Sequence, residues 1–80
     1  VSQSALKNVQ DIKITRQQKN QMRAQLEDIL QVHKMLDSRI ETYQQQTDHP
    51  EYRRFWEEMK QRNQQNIQVV ARYMVMKCNR

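Results

Sequence analysis

The 80-residue sequence contains no glycine, one proline, one cysteine and five aromatic residues. Without glycine it has no residue suited to positive φ or to close backbone approach, which removes glycine-rich phosphate loops. The lone Cys78 cannot form an internal disulfide, so the disulfide-stapled secreted folds are excluded. No apolar run approaches the roughly 20 residues of a membrane span, and no signal-peptide core is present. Hydrophobic residues make up 36% of the chain and the mean hydropathy is −1.15, both low for a globular domain. A catalytic pocket would be unusual on so small a chain, and no nucleophile–base pair or zinc-ligand spacing occurs. The expectation is a single non-enzymatic helical module without cofactor or metal, from a reducing intracellular compartment. Because the sequence does not begin with methionine, it reads as part of a longer protein.

The punctuation that is present sits where helices begin. Asp48-His49-Pro50-Glu51 is the one strong break, since proline pushes His49 to extended backbone and suits the first turn of a new helix. Asp48 and Glu51 have capping-box spacing, as do Thr15 and Gln18, and Ser4 can cap a shorter segment. Helices are therefore expected over 4–11, 15–46 and 50–78. From Met22 the seam Met22, Leu26, Ile29, His33, Leu36, Ile40, Tyr43 repeats in steps of 4 and 3, the period of one helix packed along another. The last segment continues the pattern through Tyr52, Phe55, Trp56, Met59, Asn63, Asn66, Ile67, Val70, Tyr73 and Met74. Two such helices joined by a short turn must run antiparallel, so the fold class is all-α: a small bundle built on a long helical hairpin with a short N-terminal helix.

Val69, Val70, Ala71, Tyr73, Met74, Val75 and Met76 place apolar groups on nearly every face of the last turns, more than one helix covers. Either the Ala5, Leu6, Val9, Ile12 stripe of the first segment folds over this end, or a partner does. The fourteen glutamines, including Gln44-Gln45-Gln46, are good helix formers and fill solvated positions between the apolar ones.

Charge is strongly segregated. Lys7, Lys13, Arg16, Lys19 and Arg23 face only Asp11 in the first 23 residues, net +4, and Lys60, Arg62, Arg72, Lys77 and Arg80 have no acid among them, net +5. The intervening stretch carries eight acids against four bases, net −4, and the whole chain +5. An antiparallel hairpin brings both basic segments to one pole and leaves the acidic stretch at the turn, an arrangement that attracts polyanions.

Individual residues carry less. His33 interrupts the seam, and folding about residue 48 or 49 sets it opposite Asn63 or Gln64, a polar pair suited to fixing register. With His49 remote, a metal site lacks ligands. Cys78 reads as an incidental thiol, and Met22, Met35, Met59, Met74 and Met76 mainly as core fillers. Tyr52, Phe55 and Trp56 are expected to plug the bundle against Leu36, Ile40 and Tyr43, with Arg53 and Arg54 pairing to Glu57 and Glu58.

The segment running from Gln25-Leu26-Glu27 through Leu36 and Ile40 to Pro50-Glu51 and Trp56 resembles the helical C-terminal domain of the chromodomain-helicase DNA-binding remodellers, and Ala5-Leu6-Lys7 is similar to that domain's earlier helix. Beyond Trp56 that family continues with an aromatic-rich helix, whereas this chain reads Glu57-Glu58-Met59-Lys60 and then asparagine and glutamine. The resemblance implies a helical bundle that contacts DNA or nucleosomes without strong sequence preference.

Two functional expectations result. In the first, a nuclear, chromatin- or transcription-related module binds DNA backbone through Lys7, Lys13, Arg16, Lys19, Arg23, Arg62, Arg72, Lys77 and Arg80, by counterion release rather than base readout. In the second, the apolar end, with Val69, Val70, Tyr73, Met74 and Met76 as anchors, docks a partner protein helix or a second copy of the chain.

Overall fold

The structure, a computed structural model, describes residues 13–78. Among these the chain forms two long helices, α1 (Arg16–Gln46) and α2 (Pro50–Lys77), packed along each other as an antiparallel hairpin. The expected helix over 4–11 lies outside the described residues.

Thr15 starts α1 as expected. Its hydroxyl accepts from the Gln18 backbone N–H at 3.1 Å, and the Gln18 side chain accepts from the Thr15 N–H at 3.0 Å, completing both arms of a capping box. At the other end Thr47 closes the helix, its N–H bonding back to the Gln44 carbonyl. The start of α2 differs from expectation: the N-cap is His49, not Asp48. Pro50 occupies the first helical position, so the residue before it must be the cap, and His49 Nδ1 accepts from the Glu51 N–H at 3.1 Å.

Register is set near the middle of the hairpin. His33 Nδ1 lies 2.7 Å from Asn63 Oδ1, and Asn63 Nδ2 donates to the His33 carbonyl at 2.8 Å. The two helices meet along Leu26, Leu30, His33, Asp37, Ile40 and Gln44 on α1 and Trp56, Met59, Lys60, Asn63, Ile67, Val70 and Met74 on α2, all half-buried or buried.

This interface departs from the expected seam. Leu26, His33 and Ile40 face α2, but Met22, Ile29, Leu36 and Tyr43 lie to one side and remain 39–43% exposed. The apolar stripe of α1 is wider than a single neighbouring helix can cover, so the hairpin takes one edge of it. Two further expectations are corrected for the same reason. Of the aromatic cluster only Trp56 turns inward, with its ring 5.5 Å from Tyr43; Tyr52 and Phe55 stay exposed. Of the methionines, Met59 and Met74 are half-buried, whereas Met22, Met35 and Met76 are exposed.

The core is thin. Among the described residues only Ile40, Cys78 and Asn63 are buried. The molecule measures 58 × 27 × 15 Å, and among the described residues there is a single layer of two helices, with no third element behind either.

Candidate interaction surfaces

The two long edges of the interface have opposite character. On one flank polar side chains join the helices: Gln44 donates to Glu57 at 2.9 Å, Gln64 to Asp37 at 3.3 Å, and Lys60 pairs with Glu41 at 3.5 Å. Glu57 also accepts from Gln61 one turn on. The bond from Gln44, against a smaller opposing effect of desolvation and with further help from Gln61 and Lys60, holds the Glu57 carboxyl below its usual range. The expected pairs of Arg53 and Arg54 with Glu57 and Glu58 do not form. Glu57 is held instead by glutamines, and Lys60–Glu41 is the one ion pair among the described residues.

The other flank is apolar and unpaired. Met22, Ile29, Leu36 and Tyr43 recur one heptad apart along α1, beside the exposed Tyr52, Phe55, Val69 and Tyr73 of α2. Val32, Met35, Leu36 and Arg39 line a dimple of about 200 Å³ midway along α1. The residues expected to anchor a partner at the end of α2 divide between two roles. Val70 and Met74 are half-buried in the hairpin interface, while Val69, Tyr73 and Met76 remain accessible.

The open end of the hairpin gathers bases from both helices. Lys13, Arg16, Lys19 and Arg23 enter from the start of α1, and Arg72 and Lys77 from the end of α2. Arg23 is engaged within the fold: its guanidinium donates to the Cys78 carbonyl, which places a positive charge against the exposed carbonyls at the C-terminus of α2. Cys78 itself is buried at this clasp as the C-cap residue. Arg62 stands apart from the pole, next to Asn63 at the middle of the hairpin. Lys7 and Arg80 lie outside the described residues.

No protein-family model, curated protein or solved structure matches the chain. No helix among the described residues is long and apolar enough to cross a membrane. The arrangement offers two things: a cationic end able to meet a row of phosphates, and an apolar flank able to receive helices.

Periodicity alone could not reveal that polarity differs between the two flanks. The signal that could have shown it is the spacing of Asp37, Glu41 and Gln44 against Glu57, Lys60 and Gln64. Once His33 is set opposite Asn63, these residues fall on the same edge.

Proposed function

We propose that this chain is a non-enzymatic helical module that associates with DNA, or with the DNA of nucleosomes, through the basic end of the hairpin, in a chromatin- or transcription-related protein. The observation that carries this is the convergence of Lys13, Arg16, Lys19, Arg72 and Lys77 from two distant stretches of sequence, with the described acids lying farther toward the turn. The resemblance to the helical domain of the chromodomain-helicase remodellers supports the same function. Long, flexible cations on helix ends neutralise phosphates and release counterions; they carry no base-reading geometry, so binding is indifferent to sequence. Anisotropy of a labelled short duplex at two salt concentrations tests this. Micromolar binding with a log–log slope of about −3 to −5, the range for up to five phosphate contacts, is expected. No binding at low salt would sink it.

A second reading rests on a separate observation, the apolar flank. Among the described residues Met22, Ile29, Leu36, Tyr43, Tyr52, Phe55, Val69 and Tyr73 are 39–62% exposed, and a concentration of large apolar side chains on one flank marks an interaction surface. On this reading the hairpin docks other helices, and the chain is an assembly element.

A further inference from the structure

We infer that the apolar flank is a surface for a second copy of this chain, docked antiparallel, so that the basic open end of each hairpin lies beside the acidic turn of the other. The inference rests on the helix-docking reading above and names its occupant.

The first support is a symmetry in the stripe itself. On α1, Met22 and Tyr43 are equidistant from a point between Val32 and His33, and so are Ile29 and Leu36. On α2, Tyr52 and Tyr73 are equidistant from a point between Arg62 and Asn63. Helices could carry these centres at unrelated heights, but the His33–Asn63 bonds bring them to one level. A two-fold axis through that level then lays α1 over α1 and α2 over α2. Met22 falls on Tyr43 of the second copy, Ile29 on Leu36, and Tyr52 on Tyr73. Every large apolar side chain of the α1 line meets another, which is the self-complementarity an isologous dimer requires.

Charge selects the orientation. Docking with both turns at the same end would crowd Lys13, Arg16, Lys19, Arg23, Arg72 and Lys77 of two chains together. The antiparallel arrangement brings Lys77 to the level of Asp48 of the second copy and sets the open end beside a turn where Asp48, Glu51, Glu57 and Glu58 outnumber Arg53 and Arg54, with Glu57 on the far flank. Like charges repel and unlike charges set register across such interfaces. A wide dimple lined by Glu51, Tyr52, Arg54, Phe55 and Glu58 gives that end a receptive surface for the opposing aromatic residue.

Size agrees with a second copy. The apolar line from Met22 to Tyr43 runs about 32 Å by the helical rise, and the two-fold matches it along its whole length with the same line of the second copy.

The test is sedimentation equilibrium of the whole 80-residue chain, 9.9 kDa, over a range of concentrations. The expected mass is that of two chains, and Leu36→Glu, which puts a charge at the centre of the interface, weakens dimerisation by at least about tenfold while circular dichroism stays helical. If Leu36→Glu loses helicity, Ile29→Gln on the same line gives the comparison. Orientation is read in a Cys78→Ala background. Mixing Met22→Cys with Tyr43→Cys should give a disulfide-linked heterodimer on oxidation, and Tyr43→Cys alone none. A Tyr43→Cys chain that links to itself overturns the proposal, and so does a monomer at every concentration. In the monomer case a hydrophobic dye separates the two ideas. Dye binding that Leu36→Glu abolishes leaves helix docking standing with a different occupant, whereas no dye binding removes both.

Discussion

His33 and Asn63 hold each other through two hydrogen bonds that run in opposite directions across the hairpin. Because the Asn63 amide N–H donates to the His33 carbonyl, its oxygen is the acceptor, and the His33 ring must donate from Nδ1. Asn63 is 4% exposed, so both of its polar atoms depend on this partner. Asn63→Ala should cost about 1–3 kcal/mol in chemical denaturation, because it leaves the His33 ring and carbonyl without their bonds. The double variant His33→Leu with Asn63→Leu should recover that stability or exceed it, yet lose a single register. A double variant as singly registered as the parent, judged by sharp amide spectra and one sedimenting species, would show that the pair does not specify alignment.

The Thr15 cap makes a local prediction. Thr15→Ala removes one arm of the capping box directly and leaves the Gln18 arm without its reciprocal bond, so a loss of about 0.5–2 kcal/mol is expected. Hydrogen exchange should show the loss as fraying of the first turn of α1. If the first turn exchanges no faster in the variant, tertiary packing rather than the cap holds it.

Acid should act on the polar flank through Glu57. Its carboxyl titrates below the ordinary value of 4.5 in the folded chain, chiefly because Gln44 donates to the charged form. A folded pKa that is depressed contributes stability present above the unfolded pKa and lost as pH falls through the folded one. The loss therefore belongs at pH below about 4.5 and not near neutrality. Gln44→Ala should move the Glu57 midpoint up toward the ordinary value in an NMR titration. An unmoved midpoint would assign the shift to Gln61 and Lys60 instead.

Position along the hairpin should rank the charge reversals. If the basic end binds DNA as proposed, Arg16→Glu with Arg72→Glu should weaken duplex binding and flatten its salt slope by about 2, since two phosphate-neutralising cations are lost. Arg62→Glu changes charge equally per residue, but at mid-hairpin, and should weaken binding far less. Equal effects from Arg62 and Arg16 would mean that overall charge, not the pole, governs association.

Much of this architecture is legible in the sequence. The alternating steps of 4 and 3 from Met22 to Tyr43 indicated a helix against a helix. Pro50 placed the turn, and folding there set His33 against Asn63. What stayed hidden was which edge of a wide apolar stripe the hairpin would choose. Spacing puts Met22, Ile29, Leu36 and Tyr43 as near the seam as Leu30, Asp37 and Gln44. The bonds from Asp37, Glu41 and Gln44 to α2 lie on one edge, and each needs a partner at a matching height. Composition points to polar residues on the surface, so it could not show that polar pairs would line the hairpin while large apolar side chains were left outside it. The His49 cap was missed for a simpler reason: Asp48 is the better capping residue by propensity, but Pro50 at the first helical position decides the cap by sequence adjacency.

The clasp between Arg23 and Cys78 has a mechanical consequence. Arg16 begins α1 and Lys77 ends α2 at the same end of the hairpin, so tension applied at those two points pulls the helices apart like a zipper rather than shearing them along their length. In that geometry the load falls on one level at a time. It falls first on the Arg23 guanidinium and Cys78 carbonyl, then on the apolar levels behind them, and only later on the paired His33 and Asn63. The hairpin should therefore open at low force from the basic end, with Asp48 and His49 at the turn the last to feel the pull.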